Sequence, residues 1–449
     1  MRDRIVWLLT GSYALLYFAL GTLRYAAHRN FVDLGIFAQT AASAFGCFCN
    51  TIEGSHWAYH FSPVLYLAGA LMLVWKSPLA LVALQAAGGA LAIAPVYAIV
   101  ARRADRAVAR LAAVVVFAYP PLAGLTFGDF HENGLAPAAV AWLLWAFDGG
   151  FTGWTIVFAL VTLSIKEDQA IFLAVAGGLA AWRYRADARR ARLALGIAAA
   201  SLVVLVVFFA LVQPHANANL QWSPTRFYDW SAADWRALFP AGLLQRLGFL
   251  VLAFLPLLFL PLRVPEIAIA IAPLCETLFS RMPTTFTMGS HYAGAWIGYA
   301  VFAFAVAVRR IATDDPARAR YILYWCVGLC ALEFAVADPL HPGYLLRAHA
   351  AADARLDRFL ATLPPHAGIA TQEEAYTHLA ATDPNATLLP ESAAGRITAC
   401  YILTDTQFPR SPRLVESAPL VRQLVRARIY TQARRDGAIT LYERSAACR

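Results

Sequence analysis

Long apolar segments alternate with short polar ones over most of the chain, up to about residue 338. A helix of about 20 apolar residues crosses the hydrocarbon core of a bilayer. We therefore predict a mostly α-helical, polytopic membrane protein with about 11 transmembrane helices. The predicted spans lie at about 5–23, 79–101, 111–127, 134–147, 154–165, 169–182, 193–213, 247–262, 265–280, 293–308 and 320–337.

The composition supports a membrane protein. The chain of 449 residues is 60% hydrophobic and 14% charged, whereas about a quarter of the residues in soluble domains are charged. The first apolar segment has a basic start but no convincing cleavage site, so we predict an uncleaved helix. The net charge of +9 is carried by clusters between the spans and does not indicate nucleic-acid binding.

The arginine clusters predict the orientation. They occur at 1–4, 101–110, 182–192 and 309–320. With a cytoplasmic N-terminus, all four lie on the cytoplasmic side, as the positive-inside rule requires. We predict the inner membrane of a bacterium. If the apolar segment 60–75 crossed the membrane, the arginine cluster at 101–110 would lie on the outer side. We therefore prefer an interfacial or re-entrant helix in the first outer loop. A full crossing, balanced by the merging of two later short spans, stays open.

Potentially reactive polar side chains gather on the predicted outer side, in the first loop and in three short motifs. The span 154–165 has 12 residues and would cover roughly 18 Å of a core about 30 Å thick. The charged "KED" that follows would then lie below the outer surface, where charges need a partner or a wet cavity. We predict an outward-opening cavity lined by polar residues from the motifs "FGDFHENG" (127–134), "KEDQ" (166–169) and "GSHYAG" (289–294).

After Asp338 the composition changes, and we predict a boundary between a transmembrane domain, 1–345, and a small extracytoplasmic α/β domain, 346–449. The tail contains no phosphate loop and no nucleophile elbow. Its cysteines, Cys400 and Cys448, form a disulfide in an oxidising compartment or stay as two free thiols. The predicted helices lie at 354–363 and 373–381, and the predicted strands at 367–372, 396–405 and 438–445.

Three acidic candidates lie in the first outer loop and in the FGDFHENG motif. Asp33 could act as a general base for an acceptor hydroxyl or cap a short helix. Asp129 and Glu132 share a helix face, with His131 between them. Oxygen and nitrogen ligands of this kind suit a divalent cation, and they also suit sugar hydroxyls. A solvated loop is the plain alternative.

The other candidates are mainly basic. Lys166 could hold a phosphate as a point charge, while Glu167 and Asp168 pair with it or with Arg281. Charges at a helix end also occur without a function, when they snorkel to the interface. His60 and His291 lie beside aromatic residues and either contact substrate or form ordinary hydrogen bonds. The Trp- and Tyr-rich loop 214–239 suits a sugar ring or an interfacial belt. Without a nucleotide-binding motif, a donor used outside would be lipid-linked.

Several motifs between Asp33 and Val175 resemble the predicted membrane protein family DUF2079, namely "FVDLGIFAQ", "HFSPVLYLAGAL", "YPPLAGLTFGDFHENGLAP" and "IKEDQAIFLAV". That family is similar to the C-type (GT-C) glycosyltransferases, which include protein mannosyltransferases and lipid A aminoarabinose transferases. The resemblance implies a polyprenyl-phosphate sugar donor and a catalytic acid in the first outer loop, where Asp33 fits. Leu34 follows it, and Ala38 stands where the family motif has a second acid, which argues against a metal-bridging pair there.

These observations predict a membrane glycosyltransferase that inverts the sugar it transfers from a polyprenyl-phosphate donor. The acceptor is a glycan, a lipid or a protein on the outer face. Asp33 takes the acceptor proton, and His60, Lys166 or Arg281 holds the donor phosphate. A transporter or flippase for a lipid-linked solute is the alternative, although the chain shows no internal repeat. A non-catalytic assembly protein is another. The cavity-lining residues are Asp129, His131, Glu132, Glu167, Asp168 and His291, of which Asp129, His131 and Glu132 would hold any divalent cation.

Overall fold

The computed structural model describes residues 3–216, 227–340, 346–364, 366–409 and 411–445. Helices dominate it, as the apolar segments predict. The helices of residues 1–340 are α1 (Arg4–Ala26), α2 (Val32–Ala42), α3 (Leu65–Val74), α4 (Leu79–Leu91), α5 (Ile93–Val100), α6 (Arg106–Phe117), α7 (Pro120–Phe127), α8 (Ala136–Asp148), α9 (Thr152–Leu163), α10 (Glu167–Arg183), α11 (Ala188–Val207), α12 (Gln213–Ala216), α13 (Ala232–Ala237), α14 (Leu243–Phe254), α15 (Ile271–Phe279), α16 (Gly294–Asp314) and α17 (Pro316–Val336).

Within the described ranges, six helical segments are long and apolar enough to cross a membrane, or seven if the bent pair α6 and α7 counts as one span. α3 and α9 are apolar but shorter. The chain is an integral membrane protein, while the predicted number of about 11 spans stays a prediction. The six segments are Arg4–Ala26, Leu79–Val100, Ala188–Ala216, Leu238–Leu257, His291–Asp314 and Pro316–Val336.

Two predicted spans differ from the structure in their regularity. The segment 111–127 is not one straight helix, because α6 and α7 meet at an angle of 47°. Pro120 and Pro121 open α7, and proline starts a helix well but cannot continue one. The segment 265–280 begins as a 3₁₀ turn before α15, which has nine residues. The predicted helix within 60–75 is α3, whose 10 residues cover about 15 Å.

The chain forms two compact units. The first comprises residues 1–19, 57–64 and 83–342. α16 is buried along most of its length, with Trp296 and Tyr299 fully enclosed. Helix α8 approaches α16 so closely that a Cβ atom on Gly298 would come within 2.7 Å of Val140. A side chain at this glycine would therefore push the two helices apart.

The second unit comprises residues 20–56, 65–82 and 343–449. It contains a short hairpin of β1 (Cys49–Asn50) and β2 (Gly54–Ser55), which lies beside a disulfide between Cys47 and Cys49. For Cys400 and Cys448 we predicted either a disulfide or two free thiols, and Cys448 lies outside the described residues. The tail adds α18 (Ala351–Leu360), α19 (Glu373–Leu379), α20 (Pro412–Arg426), β3 (Ile369–Thr371), β4 (Thr387–Leu388), β5 (Tyr401–Asp405), β6 (Tyr430–Asp436) and β7 (Ile439–Arg444).

The tail is an α/β structure, as predicted. Its five strands have the order β4-β3-β5-β7-β6, in which β4, β3 and β5 are parallel and β5, β7 and β6 antiparallel. The sequence pattern missed β4, β6 and α20. In β6 every residue after Tyr430 is exposed, so this edge strand lacks the apolar alternation by which strands are recognised.

Residues of the first loop pack with the tail inside the second unit. The side-chain amide of Gln39 donates to the carbonyl oxygens of Asp383 and Ala386 at 3.2 and 3.1 Å. The Tyr376 hydroxyl donates to Gln39 Oε1 at 3.1 Å. Because the tail shares its unit with 20–56 and 65–82, the domain boundary between residues 345 and 346 stays a prediction.

Candidate functional site

A single glutamine shapes the FGDFHENG segment. The side-chain nitrogen of Gln85, in α4, lies 2.9 Å from the carbonyl oxygen of Gly128 and 3.2 Å from that of Asp129. Its Oε1 atom accepts the backbone N–H of His131 at 3.0 Å. Gln85 is buried and forms hydrogen bonds with backbone groups that have no partner within a helix. Sequence reasoning missed this residue, although an amide within an apolar span is itself a signal.

Five ionisable side chains of the first unit gather around this segment. We call His60, Glu132, Lys166, Glu167 and Asp168 the buried charge cluster. His60 Nδ1 lies 2.8 Å from Glu167 Oε1, and Lys166 Nζ lies 3.5 Å from Asp168 Oδ2. His60, the most accessible of these four, exposes 17% of its side chain. The cluster thus contains two close ion pairs and one further carboxyl group, that of Glu132.

Glu167 is the best-satisfied acid of the cluster. It begins α10, where the helix dipole favours a negative charge, and its Oε2 atom accepts the backbone N–H of Phe61 at 2.9 Å. Burial raises the pKa of Glu167, but His60 and Lys166 outweigh it and hold the pKa at about 2. Burial by itself would lower the pKa of His60, but the Glu167 carboxylate outweighs burial, so the pKa of His60 is raised. The pairing therefore favours the imidazolium form of His60 beside the Glu167 carboxylate.

Glu132 is in a different state. It is completely buried, and neither carboxyl oxygen accepts a hydrogen bond from the described residues, although His131 Nδ1 lies 3.1 Å from Oε2. Burial raises the pKa of Glu132 to about 7, against the opposing effect of Lys166 and His60. This carboxyl group can gain or lose a proton near neutral pH, which suits general acid or base chemistry.

Lys166 is the permanent cation of the cluster. Burial alone would lower its pKa, but the carboxylates of Asp168, Glu132 and Glu167 outweigh burial and raise the pKa. Burial is also the main reason that the pKa of Asp168 is raised, and Lys166 opposes it. The ammonium group has three donors, so it can bind another anion beside Asp168.

His131 connects the cluster to the GSHYAG segment. Its ring stacks on that of His291, with centroids 3.9 Å apart and planes 3° from parallel. His291 begins the 3₁₀ turn that leads into α16. The neighbouring Tyr292 is close enough to Lys166 to affect its charge. Seven of the ten predicted site residues therefore lie together in the first unit: His60, His131, Glu132, Lys166, Glu167, Asp168 and His291.

The remaining three predicted residues are placed differently. Arg281 Nη2 lies 3.1 Å from Asp234 Oδ1, so it pairs there and not with Glu167 or Asp168. Asp129 is half-buried, and its carbonyl oxygen is held by Gln85. Asp33 is half-buried in the first turn of α2, in the second unit, and Phe31 rather than Asp33 is the N-cap residue. Its predicted catalytic role stays a prediction.

Two residues of the neighbourhood were not predicted. Glu276, in α15, lies close enough to Asp168 and Lys166 for their charges to interact. The Tyr228 hydroxyl donates to the carbonyl oxygen of Glu276 at 3.3 Å. The available signal for Glu276 was an acid in the middle of the apolar segment 265–280, which otherwise has one acid at its start, Glu266. Of the aromatic loop 214–239, residues 217–226 lie outside the described ranges.

No ligand set converges at the predicted cation site in the part of the chain that the structure describes. Asp129, His131 and Glu132 as ligands of a divalent cation stay a prediction. Within the described residues, ligand atoms of three such side chains come together in the second unit instead, at His28, Asp357 and His378.

Comparisons with known proteins give a family and a fold. A family model described as "Predicted membrane protein (DUF2079)" matches residues 27–437. The crystal structure of ArnT from Cupriavidus metallidurans bound to undecaprenyl phosphate is similar, with a TM-score of 0.58, 12% sequence identity and coverage of 99% of each chain. For the apo state of ArnT the TM-score is 0.52, with 11% identity and coverage of 96% of this chain and 98% of that one. At these identities the likeness shows the GT-C fold alone. A comparison with curated proteins finds no match.

Proposed function

Because the chain belongs to the DUF2079 family of predicted membrane proteins and has the GT-C fold, we propose that it is a membrane glycosyltransferase. It moves a sugar from a polyprenyl-phosphate donor to a glycan, lipid or protein acceptor on the outer face of the inner membrane. The observation that carries this proposal is the buried charge cluster, which combines a lysine, a histidine paired with a carboxylate and a carboxyl group whose pKa is raised to about 7. Structural side chains in a membrane protein rarely combine these properties.

Lys166 holds the phosphate of the donor. Within the described residues, its ammonium group forms one ion pair, with Asp168 at 3.5 Å, and it has three donors. His60 is engaged by Glu167 at 2.8 Å and Arg281 by Asp234 at 3.1 Å. Of the three predicted phosphate ligands, Lys166 is therefore the best placed. ArnT, which is similar in fold, was crystallised bound to undecaprenyl phosphate, a lipid of the same chemical class as the proposed leaving group.

The reaction is one displacement at the anomeric carbon. The acceptor oxygen forms the new glycosidic bond as the bond from the anomeric carbon to the phosphate oxygen breaks. The polyprenyl phosphate leaves with the electron pair, and the sugar is inverted. The acceptor proton passes to a carboxylate, which we assign to Asp33. Glu132 is the second candidate, because a carboxyl group with a pKa of about 7 is half-ionised near neutral pH.

The disulfide supports the proposed sidedness. Cys47 and Cys49 are joined in the loop that follows α2, and disulfides persist in oxidising compartments such as the periplasm. An extracytoplasmic first loop agrees with a cytoplasmic N-terminus and with arginine clusters on the inner side. The tail, which belongs to the same compact unit as this loop, is then extracytoplasmic.

The proposal is tested with the purified full chain in lipid nanodiscs. Undecaprenyl-phosphate hexoses and pentoses, radiolabelled in the sugar, are supplied together with cell-envelope fractions as acceptors. We expect release of undecaprenyl phosphate and transfer of label with one of these donors. Binding without release would identify an assembly protein. Movement of the intact donor across a liposome membrane would identify a transporter, and either outcome would overturn the transferase proposal.

A matched pair of variants makes the test specific to the cluster. The chain has two lysines, Lys76 and Lys166. Lys76 is exposed and lies outside the cluster, so Lys76→Met controls for the loss of one positive charge. Lys166→Met is expected to lose turnover, while Lys76→Met keeps it. Equal effects of the two substitutions would argue that the cluster does not bind the donor.

A further inference from the structure

Two histidines and an aspartate from three separate segments converge in the second unit. His28 follows α1, Asp357 lies in α18 and His378 lies in α19. One ligand atom from each of them lies within 4.8 Å of the other two. None of these residues belongs to the buried charge cluster, and the proposed transfer reaction does not use them.

The distances are close to those of a metal site. His28 Nε2 lies 3.0 Å and His378 Nδ1 lies 3.9 Å from the same oxygen, Asp357 Oδ1. In a tetrahedral zinc site, with bonds of about 2.0–2.1 Å, neighbouring ligand atoms are about 3.4 Å apart. The two observed distances lie on either side of that value.

The far side of each imidazole ring is also arranged as metal ligands require. His28 Nδ1 lies 3.1 Å from the carbonyl oxygen of Glu374, and His378 Nε2 lies 3.1 Å from that of Tyr25. A carbonyl oxygen only accepts, so the ring nitrogen facing it carries the proton. His28 Nε2 and His378 Nδ1 are then the ring nitrogens that face Asp357, and a metal ion would bind there in place of a proton. Metal-binding histidines are typically fixed in this way by a carbonyl or carboxylate.

The carboxylate has a similar support. His349 Nε2 lies 3.0 Å from Asp357 Oδ2, which leaves the other oxygen, Oδ1, to the two ligand histidines. His28 is completely buried, whereas the Asp357 side chain is 42% exposed. The site can therefore be reached from solvent on the aspartate side, and that side can supply a water as a fourth ligand.

We propose that His28, Asp357 and His378 bind a zinc ion, with His349 as the residue that orients Asp357. Two imidazoles and one carboxylate favour zinc or a related transition metal over magnesium or calcium, which prefer oxygen ligands. The ion links the segment between α1 and α2 to α18 and α19. It thereby stabilises the unit to which Asp33 belongs. The proposal rests on contacts within that unit and is independent of the proposed glycosyltransferase activity.

The test measures metal directly on the full chain, purified in detergent without chelators and after removal of any histidine tag. Elemental analysis of the wild type is expected to give about one zinc ion per chain. His378→Gln and Asp357→Asn are expected to lose at least about nine-tenths of it, since each removes one of only three protein ligands. His349→Gln is expected to keep the ion but weaken affinity by about 10- to 100-fold, as is usual for an orienting residue.

His366→Asn is the matched control, because His366 is an exposed histidine of the same unit and asparagine tolerates its positive φ of 58°. This variant should bind zinc like the wild type. A second measurement needs no variant: the wild type is stripped, reloaded with Co²⁺ and examined for the visible absorption of a tetrahedral cobalt site. The proposal is overturned if the stripped wild type takes up no stoichiometric zinc or cobalt. It is also overturned if the ligand variants retain as much zinc as His366→Asn. The same holds if zinc is lost only in the variant His131→Gln, because His131 belongs to the other cation site, the one predicted from the sequence.

Discussion

His60 Nδ1 lies 2.8 Å from Glu167 Oε1, although 107 residues separate the two in the sequence. The contact ties the segment 57–64 to the start of α10 and is reinforced by the N–H of Phe61, which donates to the same carboxylate. It turns two groups that are costly to bury singly into a satisfied pair. Lys166 and Glu132 are buried beside this pair.

Glu167→Gln should destabilise the protein. The substitution leaves the His60 ring without its counter-charge, and breaking a buried pair by removing one partner costs about 3–5 kcal/mol. Unfolding of the detergent-solubilised protein, monitored by heating or denaturant, measures the loss. Glu416→Gln changes an exposed glutamate of α20 and should have little effect. Equal stability of the two variants would mean that the His60–Glu167 pair contributes nothing.

The contribution of Glu167 should depend on pH in a defined direction. Its pKa is held at about 2, below the usual value, so the folded state binds this proton less tightly than the unfolded state does. The stabilisation is complete above about pH 4.5 and is lost as the pH falls towards 2. The difference between the wild type and Glu167→Gln, measured from pH 7 downwards, should therefore shrink below pH 4.5. A difference that stays constant would contradict the assigned ion pair.

Lys166→Met should weaken donor binding. A hydrogen bond to a charged group contributes about 1.5–3 kcal/mol, so the dissociation constant for undecaprenyl phosphate should rise about 10- to 100-fold. Native mass spectrometry or a competition assay in nanodiscs measures this constant. The matched variant Lys76→Met should bind like the wild type, and unchanged binding by Lys166→Met would remove the lysine from the donor site.

Asp33→Asn tests the assignment of the base. Loss of a general base typically lowers the rate about 10²- to 10⁴-fold. Binding of undecaprenyl phosphate should be unaffected, because Asp33 is assigned to the proton and not to the phosphate. Single-turnover kinetics together with the binding assay separate these effects. Asp436→Asn, at an exposed position of β6, is the control. Transfer at the wild-type rate by Asp33→Asn would eliminate Asp33 as the base.

Glu132→Gln distinguishes the second candidate base by its pH profile. Burial raises the pKa of Glu132 to about 7, and only the deprotonated form accepts a proton. If Glu132 is the base, the wild-type rate rises as the pH passes through about 7, and Glu132→Gln loses that rise. If Asp33 is the base, the pH profile of Glu132→Gln follows that of the wild type. The unfolding free energy of the wild type should also fall between about pH 4.5 and 7, because the folded state holds this proton more tightly. In Glu132→Gln this decrease should be absent.

The sequence by itself determined the general nature of the protein. Apolar segments of membrane length, arginine clusters outside those segments and a polar tail predicted a helical membrane protein with an α/β tail. These are local properties, because a helix must satisfy its backbone hydrogen bonds within its own segment in a membrane. The charged motifs were also found in the sequence, since charges beside apolar segments are costly without a purpose. Pro120 was a local signal for the break between α6 and α7, but it lies inside a continuous apolar segment that we predicted as one span.

Only the tertiary structure decided which polar groups meet. The partner of Glu167 is His60, and that of Arg281 is Asp234 rather than either acid of the KED motif. Gln85 organises a segment more than 40 residues away, and His28 meets Asp357 across 329 residues. No periodicity within a short window carries such information, because a side chain's partner depends on how distant elements pack. The protonation states follow from the same packing: Glu132 and Glu167 are both glutamates in polar motifs, but burial without a hydrogen bond and burial beside His60 move their pKa values in opposite directions.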